Sequence, residues 1–572
     1  MVASSYWRRN RRYFYVLTFG LALIWSLAQT TSNREDLLNE QGWKFVGDFL
    51  NAAYTPSLSI DFLALTAKAT LTTLAYAVVG TFGSLLLGVL AGVFSSQRWW
   101  QAVTYHKAQS NKPRFYLLPW LNARALLVVP RGIHELVWGL FFVGIFGLDP
   151  LTAILAIAIP YGAITAKVFS EILDETPPEP YLAILHSGST PWRAILYGLI
   201  PESLPDLLSY TFYSFESAIR SAAVLGIIGA GGLGFQLLLS FQSLNYEEIW
   251  TLLYALILLS TLVEYSSNFA RNRLAQGTLT SKAVEANVQR EIPEDLTCTP
   301  SHTSSLKGSL LFVPGLFLLL LVYLRPDFSL IWSPRTWQLL NDFGHQAFPP
   351  NVTSSFLVQL LQLSGQTLAM SILAAGLSTV LGLAFAVLGA SNYMLPEGNL
   401  NLARGGDYRW RVLLWRGTRF VLLILRTIPI PVWALILVFV LYPGILPGAL
   451  ALTLYTLGVL GRLMAEAIEN QDARPLLALR AQGATLTQTF LYGSLPTIFP
   501  QLLAYSLSRW EVIIRATVIV GFISGGGLGR LLTQQLSSFD VQSLVVTLLF
   551  YVGLVFVVDM ISSTIRREIH EG

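Results

Sequence analysis

The chain is assembled from apolar blocks of 18 to 25 residues separated by short polar stretches, and a helix of that length matches the hydrocarbon thickness of a bilayer. Backbone inside hydrocarbon must satisfy its own hydrogen bonds, so only helices or a closed barrel can span it. Barrel strands alternate apolar and polar residues over about ten positions. Runs such as Ser84-Leu85-Leu86-Leu87-Gly88-Val89-Leu90-Ala91-Gly92 do not alternate, so helices are expected. Charged residues make up 12% of the 572 positions, against roughly 25% in soluble domains, which excludes a soluble enzyme. The single cysteine, Cys298, excludes a disulfide framework and a cysteine metal cluster. A net charge of +4 is too small to point to nucleic acid.

Twelve blocks are expected to span, near 13–30, 66–95, 120–146, 150–172, 204–228, 249–270, 308–324, 365–390, 412–441, 444–468, 499–524 and 541–563. Arg8, Arg9, Arg11 and Arg12 precede the first, which places the N-terminus inside by the cytoplasmic retention of basic residues. The same rule places inside the segments holding Lys107, Lys112 and Arg114, then Arg271, Arg273 and Lys282, then Arg404, Arg409 and Arg411, and finally Arg566 and Arg567. Both termini are therefore expected in the cytoplasm. A cleavable signal peptide is the rival reading of the first block, because Ser26-Leu27-Ala28 offers a small-x-small pattern.

Sliding the chain against itself gives one dominant register, an offset of 295 residues that holds without a gap for a hundred positions. It pairs Arg131 with Arg426, Trp138 with Trp433, Gly188 with Gly483 and Tyr197-Gly198 with Tyr492-Gly493. Further along it pairs Glu216 with Glu511, Arg220 with Arg515, Gly226 with Gly521, and Gly231-Gly232-Leu233-Gly234 with Gly526-Gly527-Leu528-Gly529. The expected organisation is a first repeat over 1–270 with its core at 65–270, a cytoplasmic linker over 271–307, and a second repeat over 308–572 with its core at 365–567. Six spans per copy return the chain to its starting side, so the repeats are parallel and a shared pathway belongs on the axis between them. The fold class is all-α, a polytopic membrane protein of about twelve helices in two parallel six-helix repeats.

Between the fourth and fifth spans of each copy lies a cytoplasmic stretch, Pro180 to Pro201 and Pro475 to Pro496, patterned as short helix, glycine, short helix. Both copies keep thirteen residues from the glycine to the proline. An ordinary folded loop is one reading; a docking element repeated with its spacing is the other. Ala183, Gly188 and Pro201, and again Ala478, Gly483, Leu495 and Pro496, resemble the cytoplasmic signature of the membrane subunit of ATP-binding-cassette importers. In that family the segment is a coupling helix that fits a groove on the ATPase. The acidic residue that usually opens the signature is Leu182 here and Leu477 in the second copy.

The run from Leu196-Tyr197-Gly198 through Pro205, with Tyr210, Glu216, Arg220 and the Gly231-Gly232-Leu233-Gly234 segment, is similar to the phosphonate-type permease. So are Tyr505-Ser506-Leu507-Ser508-Arg509-Trp510-Glu511-Val512-Ile513-Ile514-Arg515 and Arg131-Gly132-Ile133-His134-Glu135-Leu136-Val137-Trp138. The resemblance covers roughly 65–270 and 365–567, and implies a type I, MetI-like importer permease with two copies fused. It further implies a bacterial inner membrane and a phosphonate, phosphite or phosphate cargo. The implied partners are two ATPase subunits, which bind the ATP and Mg, an extracytoplasmic substrate-binding protein and membrane lipid. No cofactor is implied in this chain. An amino acid or quaternary amine as cargo, an ion-coupled secondary transporter and an enzyme with a membrane-embedded site are the alternatives.

Glu216 with Arg220, and Glu511 with Arg515, stand four residues apart on expected spans, within salt-bridge reach. Ionisable residues at that depth face a bundle interior or a wet cavity. They serve either as self-neutralising locks or, together with the matched Arg131 and Arg426, as positive groups along the pathway of an anion. The glycine segments, with Gly226, Gly231, Gly232 and Gly234 and with Gly521, Gly526, Gly527 and Gly529, are candidate gates or hinges, a plain helix-ending loop being the alternative. Gly229 to Gly234 formally matches G-x-G-x-x-G, but it follows a membrane helix rather than opening a strand-helix-strand unit. No G-x-x-x-x-G-K-[ST] and no H-E-x-x-H occurs, so neither ATP binding nor a catalytic residue nor a metal is expected in this chain.

Overall fold

The structure, a computed structural model, describes residues 19–30, 39, 42–107, 117–288, 303–395 and 408–571. Every element among them is helical. The first copy contains α1 (Phe19–Thr30), α2 (Gly42–Ala52), α3 (Ile60–Ser95), α4 (Gln97–Lys107), α5 (Leu117–Gly132), α6 (Glu135–Phe146), α7 (Pro150–Glu175), α8 (Glu179–His186), α9 (Pro191–Ala194), α10 (Ile200–Leu225), α11 (Gly232–Gln242) and α12 (Tyr246–Val288). The second contains α13 (Thr303–Leu324), α14 (Ser329–Trp332), α15 (Pro334–Gln346), α16 (Ser354–Gly389), α17 (Ser391–Met394), α18 (Tyr408–Thr427), α19 (Ile430–Val440), α20 (Ile445–Glu469), α21 (Ala473–Ala481), α22 (Leu486–Gln488), α23 (Leu495–Ser524), α24 (Gly527–Ser537) and α25 (Val541–Glu571).

Six of these helices are long and apolar enough to cross a bilayer unbroken, among them α3, α7, α16 and α20. Four further spans are bent pairs. The third and ninth expected spans break between α5 and α6 by 81° and between α18 and α19 by 96°. The breaks have local causes: His134 turns extended and caps α6, its ring nitrogen accepting from Leu136 N, and Pro429 turns extended before α19 with no side-chain cap. The first and seventh blocks appear as Phe19–Thr30 and Pro314–Leu324, while residues 13–18 lie outside the described residues.

Two differences from the sequence reading stand out. The stretch after Arg271, read as linker, continues α12 as helix to Val288; its polar composition argues against hydrocarbon, not against a helix, and Leu274, Ala275, Ala283 and Ala286 are good helix formers. The second concerns which segments pack together. One compact unit is 56–341; the other joins 1–55 to 342–572. In the latter unit Leu23 presses on Gly376, where an added Cβ would lie 2.3 Å from its methyl group, and Ser26 donates to the Ala369 carbonyl. Asn39 N donates to the Val440 carbonyl at 2.8 Å. In the other unit Phe317 stacks on Phe82 at 4.0 Å, the same contact shifted by 294 positions. Each leading helix thus packs on the core of the other copy.

Small residues set how closely the spans pack. A Cβ on Gly80 would lie 2.8 Å from Ile157, and one on Gly88 would lie 2.6 Å from Thr165, so α3 and α7 approach at a distance only glycine permits.

Candidate functional site

In the first copy α8 ends at Gly188, whose φ of +84° lets the chain reverse into α9. Pro191 occupies the first turn of α9, where its missing N–H is no loss. A π-helical turn, Ile195–Leu199, then leads into α10, and its wider bore is a feature often found at functional sites. The second copy repeats this with α21, Gly483 at φ +90°, α22 and a π-helical turn over Thr489–Ser494. Asp472 caps α21, accepting from Arg474 N at 3.0 Å, and the Arg474 guanidinium beside it holds its carboxyl below the usual range. Ala183, Gly188, Tyr197 and Pro201 are exposed, as are Ala478, Gly483, Tyr492 and Pro496. Tyr197 and Tyr492 are 69% and 76% exposed, a conspicuous display of aromatic surface at matched positions.

Gly198 and Gly493 do a different job. A Cβ on Gly198 would stand 2.8 Å from the Cα of Tyr181, so glycine is what lets the entry of α8 lie against the π-helical turn. Tyr181 itself is buried and donates from its hydroxyl to the Arg98 carbonyl at 2.8 Å. Burial pushes that hydroxyl up to about 12, so it stays protonated and keeps donating at neutral pH.

A cluster that the sequence reading missed lies beside each of these segments. Trp120 Nε1 and Arg124 Nε donate to the Ser95 carbonyl at 3.0 and 3.2 Å, and Arg124 reaches Asp174 at 3.2 Å. Ser96 Oγ donates to the same carboxylate at 2.6 Å. In the second copy Trp415 Nε1 and Arg419 Nε both donate to the Gly389 carbonyl at 2.9 Å, and Arg419 reaches Glu469 at 2.7 Å. Ser391 N donates to that carboxylate at 2.6 Å. Each cluster ties the ends of two helices, α3 and α7 or α16 and α20, to the body of a third, α5 or α18. Trp120, Arg124 and Ser96 recur at the offset of 295, and Asp174 is matched by the acid Glu469, which is the signal that could have found them.

Of the intramembrane pairs, Arg220 Nη1 meets Glu216 at 3.2 Å as the spacing predicts. In the second copy the Glu511 carboxylate is reached from another helix, by Arg566 at 2.5 Å and Ser562 at 2.5 Å, and Arg515 Nε donates to the Glu511 backbone carbonyl at 3.1 Å. Arg131 and Arg426 close α5 and α18, one at each sharp break. Next to the first break, His134 contacts Glu135 at 3.2 Å. Ser221 donates to Glu135 at 2.6 Å and stands 2.7 Å from the Tyr161 hydroxyl, so His134 and Glu135 belong to a satisfied interior network. The second copy places Pro429, Ile430 and Ala516 at the matching positions.

The glycine segments form closely packed bends of 57° and 65°. A Cβ on Gly226 would lie 2.7 Å from the Gly231 carbonyl and one on Gly234 1.8 Å from the Ala223 carbonyl. Gly521 against the Gly526 carbonyl, and Gly529 against the Val518 carbonyl, repeat the contacts at 2.6 Å. Gly232 and Gly527 adopt φ of +75° and +67° beneath a threonine of the second span: Thr73 accepts from Leu233 N at 2.8 Å and Thr367 from Leu528 N at 2.9 Å. These are packed bends, not frayed helix ends. Among the described residues no group of three or more His, Cys, Asp or Glu side chains is placed to hold a metal.

Comparison with known proteins gives one family model, described as the inner membrane component of binding-protein-dependent transport systems, matching residues 122–279 and 405–570. A phosphate-import permease protein of Mycolicibacterium smegmatis is 25% identical over 449 residues, 78% of this chain and 77% of its own length. A phosphite transport system permease protein of Stutzerimonas stutzeri is 33% identical over 225 residues, 39% of this chain and 75% of its own length. A solved methionine ABC transporter chain is 23% identical with a TM-score of 0.32, covering 38% of this chain and 99% of its own. The two family matches fall one in each repeat, and the chain belongs to the family of binding-protein-dependent transport system inner membrane components, as a type I ABC importer permease with its domain present twice.

Proposed function

We propose that the chain forms the translocation pathway for a small oxyanion, phosphonate, phosphite or phosphate, moved by alternating access and driven by ATP hydrolysed on two separate ATPase subunits. The reading rests first on the permease relative named for phosphate import, matched over 78% of this chain. In support, the exposed faces of Ala183, Gly188 and Tyr197 and of Ala478, Gly483 and Tyr492 suit docking of one ATPase each. ATP and Mg then bind on those partners, and an extracytoplasmic binding protein delivers the solute. The arginines Arg220 and Arg515 supply positive charge at membrane depth, where such groups mark solute paths. The glycine bends act as the gate, and both termini face the cytoplasm.

The test is to purify the full chain with whatever co-elutes, identify the partners by mass spectrometry and reconstitute the complex in liposomes. Phosphonate, phosphite or phosphate is expected to stimulate ATP hydrolysis and to be taken up with ion gradients collapsed. Stimulation by an amino acid or a quaternary amine alone would move the cargo to those classes. Co-purification without any nucleotide-hydrolysing subunit, with uptake following an ion gradient, sinks the importer mechanism.

A further inference from the structure

We propose that the unit joining 1–55 to 342–572 carries an oxyanion entry site, built from Arg530 and the side-chain amides of Gln29, Gln359, Gln366 and Gln534. This rests on the oxyanion reading above and adds where the solute first meets the chain. These five side chains line one cavity of about 730 Å3 inside the unit that joins 1–55 to 342–572, within the ~300–1,000 Å3 of small-molecule sites. Gly525 to Gly527 also line it. By the distribution of basic residues, the cavity opens on the extracytoplasmic side.

The lining is chemically one-sided. It holds a guanidinium and four primary amides but no Asp or Glu. Among the described residues, none of these five side chains has a hydrogen-bond or ion-pair partner. A guanidinium presents five N–H donors in a planar fork and each amide adds two, the donor set that a tetrahedral oxyanion satisfies. A cation has no carboxylate to meet there, and an apolar solute would leave the amides unpaired.

The unit of 56–341 holds different side chains at the matching positions. Phe235 and Leu239 stand where the register of 295 places Arg530 and Gln534. In the helices shifted by 294, Leu65, Thr72 and Tyr323 match Gln359, Gln366 and Gln29, and Thr72 and Tyr323 satisfy each other at 3.0 Å. Asp149 replaces Gly444, adding a carboxylate that would repel an anion.

The experiment uses the full chain in nanodiscs of zwitterionic lipid, titrated with inorganic phosphate, phosphite or methylphosphonate and read by 31P line broadening. Wild type should bind at least one of the three, Arg530→Gln should weaken that binding tenfold or more, and Phe235→Leu should leave it unchanged. In the reconstituted complex Arg530→Gln should lower uptake while basal ATP hydrolysis persists. If wild type binds and transports an oxyanion and Arg530→Gln does both equally well, the entry site is wrong and the oxyanion reading stands. If wild type neither binds nor transports any of the three, the oxyanion reading itself fails. A third arm uses nanodiscs with anionic lipid: if Arg530→Gln changes only the retained lipid and not the free anions, the cavity holds a headgroup and the solute assignment is overturned.

Discussion

Two glycines at matched positions are held in place by different neighbours, and the difference sets what each tolerates. At Gly198 a methyl group would meet the backbone of Tyr181, at 2.8 Å from Cα and 2.9 Å from N. At Gly493 it would meet the tips of Leu476 and Leu479, at 2.7 and 2.9 Å. Backbone in a helix cannot yield without moving the helix, whereas a leucine can change rotamer; overpacking costs typically about 1–3 kcal/mol, most where nothing can relax. Gly198→Ala is therefore expected to lower the thermal midpoint of the purified chain clearly, and Gly493→Ala by less than half as much. ATP hydrolysis stimulated by solute should follow the same order, because Gly198 positions the exposed α8 face. Equal shifts for the two variants in a detergent melting assay would contradict this account. At this scale the sequence marked both glycines as equivalent, since spacing registers the residue type and not the neighbour that the type accommodates.

At the scale of elements, Arg124 joins the middle of α5 to the ends of α3 and α7, and Arg419 joins the middle of α18 to the ends of α16 and α20, next to the short segments that begin with α8 and α21. Arg124 and Asp174 are 34% and 19% exposed on their side chains, so solvent screens the ion pair and its worth is roughly 1 kcal/mol. The geometry is more consequential than the energy: one guanidinium holds the end of α3 through Ser95 and the end of α7 through Asp174. Arg124→Gln or Arg419→Gln should leave the complex assembled and its basal ATP hydrolysis within about twofold, yet reduce solute uptake several-fold. Arg124→Lys should rescue only in part, since a point charge cannot serve both acceptors. Uptake and hydrolysis falling in proportion would show a merely structural role. Most spans were legible because bilayer length is written in the composition of a block. The breaks at His134 and Pro429 were not, because mean hydropathy carries no backbone angle, although Pro429, Pro431 and Gly132 stood in the sequence as breakers. Nor could a spacing of four residues reveal that Glu511 is reached by Arg566, 55 positions away.

For the whole molecule, the exchange of leading helices makes the two copies interdependent in a way that chain order conceals. Residues 1–55 belong to the unit of 342–572, and α13 belongs to that of 56–341. Leu23 fills the space over Gly376 in one unit as Phe317 covers Phe82 in the other. Association of membrane helices depends on such close packing rather than on a hydrophobic force, since lipid is as apolar as leucine. The covalent connection over 289–302 should therefore be dispensable. Fragments 1–288 and 303–572, expressed together, are expected to co-purify in mild detergent through these exchanged contacts and to retain substantial uptake. Deleting residues 1–55 from the first fragment should weaken co-purification of the second and lower its stability, because Gly376 and the Ala369 carbonyl lose the helix that covers them while the contact of Phe317 with Phe82 remains. Were the intact fragments to separate as readily as the truncated pair, the exchange would contribute nothing to assembly, and the two copies would have to be regarded as held together by the chain between them.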